Sequence, residues 1–458
     1  MAAMREAWTD ERLNDLSRRM DRGFDRVDAD LRALNARLDG GLDSVQWRID
    51  GLQGRIDGLQ GTMDSLQRTM LQVGVGLIAA LVGVIASVVV LVFAATADAS
   101  PGSGPPAIVA MGDSFISGEG GRWLGNGSES GETRSGTDRA AFGCGARGCE
   151  YEPALVYGDS EANRCHRSDV APVRSAPVAV AAKVNLACSG ARLENLWPSA
   201  LGGREHFGEP PQVDQLAAVA RRDDVRMVVL TAGANDVGFG RLVADCALDW
   251  ARSSERRPAY CRESAQAEVE AALPAMERGL EKTLRSVRAA LAATGYDADD
   301  YRLVTMGYAS PFPAGRWVRY PEAGWSRLNQ GGCPVWNADA DWAAGVGIDS
   351  IVAAMRRAAA ASDADFLDLR HALDGHQVCD RRARRVGLEG PSPETAEWVR
   401  RLAFVQGSSR ESLHPNAYGQ RAIGACVGLL FVRPRGDYAC RATPGRSYVD
   451  GVDLESLD

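Results

Sequence analysis

The sequence predicts an α/β domain, with a parallel sheet between two layers of helices, preceded by a coiled coil and one transmembrane helix. Three observations lead to this prediction. After residue 106, β-rich runs alternate with Ala/Arg-rich helical stretches; before residue 70, apolar residues recur at heptad-like spacing; and a long uncharged apolar run separates the two regions. The predicted regions are a coiled coil at 1–70, a transmembrane helix at 71–95, a linker at 96–106, a folded domain at 107–442 and a tail at 443–458.

The composition is that of an ordinary globular protein. Of the 458 residues, 45% are hydrophobic and 24% are charged, and the formal net charge is −8. Nothing in this balance indicates nucleic acid as a partner.

The coiled coil is predicted from the apolar residues between Leu31 and Met70, which alternate in steps of three and four. One extra step of four, at Leu34, Leu38 and Leu42, is a stutter that unwinds the supercoil locally. Glycines at positions 51, 54, 58 and 61 each cost about 1 kcal/mol relative to Ala, so the helix needs partner chains and a homo-oligomer is expected. The alternative is an amphipathic helix on the membrane surface, which the narrow apolar stripe and the mixed charges opposite it disfavour.

The run from Leu71 to Ala95 is almost wholly apolar and uncharged, and it is long enough to cross a bilayer core. Arg55 and Arg68 precede it, and the next Lys or Arg is Arg122. The positive-inside rule therefore predicts a cytoplasmic N-terminus and an extracellular domain on a single-pass anchor in the cell membrane. In the alternative, the A-x-A-like sequence Ala95-Thr96-Ala97 is cleaved and the domain is secreted.

All ten cysteines follow the apolar run. An even set confined to one side of a membrane indicates disulfides formed in an oxidising exterior. A zinc site is the alternative, but Cys144 and Cys149 have no second close Cys or His pair to complete it. We expect neither a metal nor an organic cofactor.

Within the domain, strands are predicted from the short β-rich runs and helices from the longer Ala/Arg-rich stretches. Sites in parallel sheets form at the carboxyl ends of the strands. The predicted strands are Ala107–Met111, Met227–Thr231, Arg302–Met306 and Phe366–Leu369, and the predicted helices are Ala265–Ala293 and Ile351–Ala361.

Four short blocks in the domain carry candidate chemistry. Gly112-Asp113-Ser114-Phe115-Ile116-Ser117-Gly118-Glu119-Gly120 follows the first strand, and Ala187-Cys188-Ser189-Gly190-Ala191 lies farther along. Ala232-Gly233-Ala234-Asn235-Asp236-Val237-Gly238-Phe239 follows the second strand, and His414-Pro415-Asn416-Ala417-Tyr418-Gly419-Gln420 lies near the end. Each alone is weak evidence, because a Gly-Asp-Ser triplet is usually a turn and a lone histidine is usually structural.

In this order the four blocks resemble the SGNH (GDSL-type) hydrolase superfamily, and most closely its bacterial secreted esterase/lipase branch. The resemblance covers roughly residues 107–432. It implies a three-layer α/β/α fold and hydrolysis of carboxylic esters, with Ser114 as nucleophile and His414 as its base. It also implies an oxyanion hole formed by Ser114, the Gly190 N–H and the Asn235 amide. Asp113 and Asp236 are expected to hold loops in shape rather than to transfer protons.

The sequence leaves two candidates for the third catalytic member. Many superfamily members have aspartate three residues before the histidine, where this chain has Glu411. Either the longer Glu411 side chain orients the imidazole, or a backbone carbonyl such as that of Ser412 does so, as in relatives of this branch.

The resemblance also implies three disulfides, Cys165 with Cys188, Cys246 with Cys261, and Cys333 with Cys379. The remaining cysteines are Cys144, Cys149, Cys426 and Cys440, and proximity favours pairing the first two and the last two among three possible connectivities.

Two long segments are candidates for shaping the substrate site. Residues 122–163 form a Gly/Ser-rich polar stretch that we interpret as a flap. Residues 311–342 are rich in aromatics, which either line an acyl or sugar groove or pack a disulfide-tied loop. The aromatics are Phe312, Trp317, Tyr320, Trp325, Trp336 and Trp342.

The predicted function is therefore a membrane-anchored esterase or lipase that acts on an ester or lipid outside the cell. One alternative is an O-acetyl esterase or acyltransferase on cell-envelope polysaccharide, since the same oxyanion machinery serves both. The other is a membrane-anchored scaffold whose exterior domain only resembles a hydrolase.

Overall fold

The computed structural model describes residues 100–127, 134–145, 148–403 and 406–457. The predicted coiled coil at 1–70 and transmembrane helix at 71–95 lie outside these residues, as does the beginning of the predicted linker. Among the residues that are described, no helix combines the length and apolar character that a membrane span requires.

A seven-stranded sheet forms the centre of the described region. Its middle strands are almost continuously apolar and buried, as expected where helices cover both faces of a parallel sheet. All four predicted strands are present, each with the predicted bounds or extended by a few residues. The strands of the sheet are β1 (Pro106–Gly112), β4 (Ala182–Asn185), β5 (Asp224–Thr231), β6 (Arg302–Met306), β7 (Asp365–His371), β8 (Tyr438–Ala442) and β9 (Val452–Ser456), and a separate hairpin consists of β2 (Ala141–Gly145) and β3 (Gly148–Tyr151).

The strand order is β4-β1-β5-β6-β7-β8-β9. The chain passes from β1 to β4 on one side and then to β5 on the other side, so β1 is the strand at which the order reverses. Gly112 at the end of β1 pairs with Thr231 at the end of β5. The segments that follow these two residues therefore leave the sheet at the same edge, where sites form in open α/β sheets.

The last strand, β9, corrects both the predicted C-terminal tail and the prediction of a wholly parallel sheet. Residues 443–458 were expected to form a tail, but β9 pairs antiparallel with β8 in register from Tyr438 opposite Ser456 to Ala442 opposite Val452. The sheet is thus parallel except at this edge. Val452 is buried at the edge of the core, which gives the final segment an apolar contact that a free tail lacks.

The helices form two groups that pack among themselves. Helix α6 (Arg262–Ala292) contacts both α4 (Gln212–Arg222) and α8 (Ile348–Ala360), and α3 (Pro172–Ser175) contacts α9 (Ala417–Phe431). Both predicted helices are present, as α6 and α8, and each begins three residues earlier than predicted. The helices are α1 (Ser114–Ser117), α2 (Ala154–Tyr157), α3 (Pro172–Ser175), α4 (Gln212–Arg222), α5 (Phe239–Arg252), α6 (Arg262–Ala292), α7 (Asn337–Trp342), α8 (Ile348–Ala360) and α9 (Ala417–Phe431).

Short turns of other helical types connect these elements. The 3-10 turns are Arg134–Gly136, Gly158–Glu161, Leu193–Asn195, Ser199–Leu201, Gly315–Trp317 and Ser409–Glu411, and the π-helical turns are Ser326–Gly331 and Ala343–Gly347.

The long helix α6 shows why these segments are helical. Its buried residues Val269, Met276, Leu280, Leu284, Val287 and Leu291 recur at spacings of three, four and seven, which places them on one face. That face packs between α4 and α8 and joins the continuous core beneath the sheet.

The second half of the predicted linker is packed against the domain. The N–H groups of Gly102 and Gly104 donate to the carbonyls of Ala220 and Arg222 at the end of α4, at 3.0 and 2.9 Å. A Cβ at position 102 would lie 2.6 Å from the Arg222 backbone, so only glycine fits this approach. The linker prediction is therefore wrong for these residues.

Five disulfides pair all ten cysteines, and they are the pairs that the sequence favours. They are Cys144–Cys149, Cys165–Cys188, Cys246–Cys261, Cys333–Cys379 and Cys426–Cys440. Crosslinks of this kind stabilise the fold chiefly by restricting the unfolded chain.

Candidate active site

Ser114 lies at the first position of α1, immediately beyond the carboxyl end of β1. Gly112 has φ +133, and a Cβ there would lie 1.9 Å from the Thr231 carbonyl oxygen, so the turn requires glycine. The Gln212 side-chain amide holds the same glycine by accepting from its N–H at 2.7 Å and donating to its carbonyl at 2.8 Å. The sharp exit from the strand therefore presents the Ser114 side chain at the edge of the sheet.

His414 reaches this serine from a segment 300 residues away. Its Nε2 lies 2.7 Å from the Ser114 Oγ, and its Nδ1 lies 3.1 Å from the Ser412 carbonyl oxygen. A carbonyl can only accept a hydrogen bond, so Nδ1 carries the proton and Nε2 is the acceptor for the serine hydroxyl. Burial lowers the pKa of His414, against the opposing charge of Glu119 and the Ser412 carbonyl, and a neutral imidazole is the form that a base requires.

The backbone around His414 is fixed by two hydrogen bonds. The Leu413 N–H donates to the Arg400 carbonyl at 2.7 Å, and the Arg400 N–H donates to the His414 carbonyl at 2.9 Å. Leu413 has φ 61, a conformation that a branched side chain rarely adopts. The paired segment holds the imidazole in place at the cost of this local strain.

Glu411, one of the two candidates for the third catalytic member, makes no hydrogen bond to the imidazole. Its buried carboxylate accepts hydrogen bonds from the Trp123 Nε1 at 2.9 Å, the Tyr157 hydroxyl at 2.7 Å and the Ser408 N–H at 2.9 Å. These donors turn the side chain away from the imidazole, and the Ser412 carbonyl takes the position beside Nδ1. Glu411 instead ties the segment before His414 to the segment around Trp123.

Of the residues predicted for the oxyanion hole, Asn235 shares a cavity with Ser114 and Gly190 does not. Asn235 lines a cavity together with Ser114 and His414, and its Nδ2 donates to the Ala191 carbonyl at 2.8 Å. This bond uses one of its two amide hydrogens. Gly190 is exposed, has φ +78 and does not line the cavity, but it precedes the residue that Asn235 binds.

Asp113 and Asp236 bind neighbouring loops, the role predicted for them. Asp113 accepts from the Phe115 N–H at 3.0 Å and from the Tyr308 hydroxyl at 2.5 Å, and Asp236 accepts from the Leu193 N–H at 3.2 Å. Burial raises the pKa of Asp113 to about 7 and that of Asp236 to about 6.

Sequence reasoning assigned no role to Tyr308. Its hydroxyl accepts from the Ala234 N–H at 3.0 Å while donating to Asp113. It thereby bridges the residue before Ser114 and the residue before Asn235. Its position two residues past β6 is the only signal in the sequence, and that signal does not specify a partner.

Sequence reasoning also gave no role to Glu119, although this residue stands in the first block. Its buried carboxylate lies 2.8 Å from the His166 Nδ1. Burial acts to raise the pKa of Glu119, but the hydrogen bond and the charge of His166 outweigh it and hold that pKa below its usual range. Burial likewise acts to lower the pKa of His166, and its bond to Glu119 outweighs this effect and raises that pKa. Each group therefore favours the charged form of the other.

An apolar space extends from the serine. The cavity that contains Ser114 is walled by Phe239, Pro311, Ile348 and Ile351, and the same four residues border a second, almost wholly apolar cavity. Both interpretations of the aromatic segment hold in part. Phe312 and Trp342 line the second cavity, whereas the buried Trp336 packs beside Trp250 and Trp325 is exposed.

The segment interpreted as a flap is anchored in the parts that the structure describes. Arg122 forms an ion pair with Asp138 at 2.7 Å, and Trp123 is buried against Glu411. The more exposed part is the β2–β3 hairpin, which Cys144–Cys149 closes.

A comparison with protein families finds one match. A family model described as "GDSL-like Lipase/Acylhydrolase family" matches residues 156–422, which is more than half of the chain. The matched range contains Gly190, Asn235 and His414 and begins after Ser114. No curated protein matches the chain.

Several solved structures are similar to the chain. An extracellular lipase from Streptomyces rimosus is 19% identical, with 69% of this chain and 94% of that chain covered and a TM-score of 0.39. A phospholipase A1 from Streptomyces albidoflavus NA297 is 20% identical, with coverage of 71% and 98% and a TM-score of 0.42. Est24, a carbohydrate acetylesterase from Sinorhizobium meliloti, is 10% identical, with coverage of 71% and 97% and a TM-score of 0.28.

Proposed function

The chain belongs to the GDSL-like lipase/acylhydrolase family and is an ester hydrolase, and from that premise we propose that it cleaves carboxylic esters through an acyl-enzyme on Ser114. The observation that carries the proposal is the 2.7 Å distance between the Ser114 Oγ and the His414 Nε2. A serine hydroxyl becomes an effective nucleophile when an adjacent imidazole accepts its proton. The required pair is present, and the imidazole has its accepting nitrogen toward the serine.

The proposed reaction has two stages. In the first, the Ser114 Oγ attacks the ester carbonyl while the His414 Nε2 takes its proton, and the collapse of the tetrahedral intermediate releases the alcohol, which receives that proton. In the second, water attacks the acyl carbonyl while His414 takes a proton from it. Collapse of this tetrahedral intermediate breaks the ester bond to the Ser114 Oγ and releases the carboxylic acid, and His414 returns the proton to that oxygen. The Ser412 carbonyl keeps Nδ1 protonated throughout.

The Asn235 amide and the N–H groups of Ser114 and Gly190 are the proposed donors to the oxyanion. The free hydrogen on the Asn235 Nδ2 is available at the cavity wall, because Ala191 uses only the other one. Donors fixed before the reaction stabilise developing charge without reorganisation, which is why they contribute strongly.

The preferred substrate on this proposal is an ester with an apolar acyl group longer than acetyl. Support comes from the apolar walls that continue from Ser114 past Ile351 into the second cavity. Apolar walls gain free energy from burying acyl methylenes and nothing from binding a sugar hydroxyl. This argues for esterase or lipase activity ahead of acetyl transfer on a polysaccharide.

Ser114→Ala tests the reaction in the full-length protein with aryl esters of graded acyl length. We expect loss of nearly all turnover, because the acyl-enzyme cannot form. Asn235→Ala tests the oxyanion hole, and we expect kcat to fall about 100- to 1,000-fold with little change in KM. If the wild-type protein shows no Ser114-dependent turnover, the scaffold alternative is supported instead.

The placement of the enzyme is also a proposal. We propose an extracellular catalytic domain on one membrane span, with homo-oligomers formed through the coiled coil, and the rival is release after cleavage near Ala97. Five disulfides in the described residues support an oxidising exterior. The uncharged run at 71–95, with Arg55 and Arg68 before it, supports the orientation.

A further inference from the structure

Glu119 is bound to two segments of the candidate site, although the proposed reaction gives it no role. Its carboxylate is fully buried and accepts hydrogen bonds from the His166 Nδ1 at 2.8 Å and the Ser189 Oγ at 2.5 Å. The Gln420 Nε2 donates both to the Glu119 carbonyl at 3.3 Å and to the Pro415 carbonyl at 3.0 Å. Glu119 is thus bound to the segment before Gly190 and, through Gln420, to the segment after His414.

The contact with Ser189 bears on the oxyanion hole. The Ser189 carbonyl and the Gly190 N–H belong to one planar peptide group and point in opposite directions. The His206 Nε2 donates to that carbonyl at 2.8 Å, while Glu119 holds the Ser189 hydroxyl. The direction of the Gly190 N–H is therefore fixed by two side-chain contacts on the residue before it.

The backbone after Glu119 packs against His414. A Cβ at Gly120 would lie 3.2 Å from the His414 Cβ, so the two segments are in direct contact. During acyl transfer His414 becomes a cation, and its Nδ1 faces the neutral Ser412 carbonyl where other serine hydrolases have a carboxylate. A nearby negative charge would therefore stabilise this cation through space.

The charged groups near His414 come from two segments. Glu119 acts from the segment after the nucleophile, and Glu411 acts from the segment of His414 itself. The groups that face Glu119 are His166 and His414, and Glu161 lies beyond His166, 3.3 Å from its Nε2. Glu411 already binds three donors, which leaves Glu119 as the buried carboxylate that also contacts the oxyanion segment.

We propose that Glu119 is a positioning residue for both halves of the site: it orients the Ser189–Gly190 peptide toward the oxyanion, and it places a buried negative charge beside His414 that stabilises the imidazolium. The inference rests on the proposed function, because it assumes that Ser114 and His414 carry out the reaction.

Glu119→Gln separates this role from a merely structural one. The amide keeps the shape but removes the charge that favours the imidazolium, so the pKa of His414 falls. Because the free enzyme needs a neutral His414, the acidic limb of kcat/KM should move to lower pH, by about 0.5 to 1 unit, while the plateau kcat falls about 10-fold. A structural defect alone would lower the plateau and leave the limb where it is.

Three further variants complete the experiment, measured by pH-stat titration of a short-chain ester with the full-length protein. Glu161→Gln is the matched control, since it removes a carboxylate from the other nitrogen of His166, and its profile should match the wild type. Ser189→Ala keeps the Glu119 charge but removes the hydrogen bond between residue 189 and Glu119, so kcat should fall about 3- to 10-fold and the acidic limb of kcat/KM should not move. Glu119→Asp also keeps the charge, and its limb should stay near that of the wild type.

Each outcome decides a separate point. An unmoved or raised limb in Glu119→Gln, an unchanged kcat in Ser189→Ala, or a lowered limb in Glu119→Asp would overturn the proposed role of Glu119. If Glu119→Gln does not fold, Ser189→Ala and Glu119→Asp still decide the two halves. Turnover that persists in Ser114→Ala would overturn the proposed function itself. Loss of turnover in Ser114→Ala together with an unmoved acidic limb in Glu119→Gln would overturn only the proposed role of Glu119.

Discussion

The buried pair of Asp113 and Tyr308 shows how single residues fix the distances between loops of the site. The Tyr308 hydroxyl lies between the Asp113 carboxylate and the Ala234 N–H, so one side chain relates the nucleophile turn to the turn that carries Asn235. Burial raises the pKa of Asp113 to about 7, so its proton is released near neutral pH rather than near 4. The arrangement thus costs stability once the carboxyl ionises.

Asp113→Asn should remove a pH dependence of stability. A raised folded-state pKa means that the folded protein binds this proton more tightly than the unfolded chain, so its contribution is complete below about pH 4 and is lost as the pH rises through about 7. Asparagine cannot ionise. We expect the wild-type free energy of unfolding to fall between pH 5 and pH 8 by about 2 to 3 kcal/mol more than that of the variant.

Urea unfolding at the two pH values, with disulfides intact, measures this difference. Asp299→Asn is the control, because the Asp299 side chain is fully exposed, and it should follow the wild type. Parallel pH dependences of the wild type and Asp113→Asn would contradict the prediction.

At this scale the sequence indicates which side chains have suitable chemistry but not where each one points. Ser114 and His414 could be paired because each stands in a distinctive block, whereas Glu411 was one of two candidates and was suggested by its spacing from His414. Spacing does not reveal that Trp123 and Tyr157, which are 288 and 254 residues earlier in the chain, bind that carboxylate. Glu119 and Tyr308 were missed for the same reason, because their partners come from distant segments.

Among the elements, α5 has the clearest relation to substrate. Phe239, Leu242, Val243 and Cys246 occur at spacings of three and four, and all line the second cavity. Leu248 on the same helix is absent from that wall and is 45% exposed. One face of the helix therefore forms the proposed acyl site, and the other faces solvent.

Val243→Phe should narrow the acyl site without affecting the reacting groups. The larger ring would fill the far part of the cavity, so kcat/KM for an octanoate ester should fall about 10-fold relative to that for the acetate ester. Acetate hydrolysis itself should change little. Leu248→Phe adds a similar ring to the exposed face and should leave the ratio of the two substrates unchanged; an equal ratio in both variants would show that the acyl group lies elsewhere.

The elements that could be predicted are those with strong periodicity or continuous apolar runs. Helices α6 and α8 and strands β1, β5, β6 and β7 belong to this group, since burial on one face or on both leaves a clear pattern. Strands β4 and β9 are short, and β9 (Val452–Ser456) alternates apolar and acidic residues at a sheet edge. Pairing with β8 determines its conformation, and a partner is not visible in a five-residue pattern.

At the scale of the whole molecule, the distributions of charge and of cysteine along the chain both favour the same orientation across the membrane. The ten cysteines and every residue of the candidate site follow the apolar run at 71–95, and the arginines nearest to that run on its N-terminal side are Arg55 and Arg68. Disulfides require an oxidising compartment, and cytoplasmic flanks of a span are enriched in Lys and Arg. Both effects favour the same proposed orientation and are physically independent of each other.

Epitope tags at the two ends of the full-length protein test this orientation. If the anchor is retained with its N-terminus inside, protease added to intact cells should remove the C-terminal tag and leave a membrane-bound fragment that keeps the N-terminal tag, because the bilayer shields only the residues up to the span. Cleavage near Ala97 predicts a different result, with the C-terminal tag in the medium before any protease is added. Permeabilised cells are the control, in which both tags should be lost. A C-terminal tag that resists protease in intact cells but not in permeabilised cells would place the catalytic domain inside the cell, and the membrane-anchored extracellular hydrolase would then be wrong even if every contact around Ser114 were right.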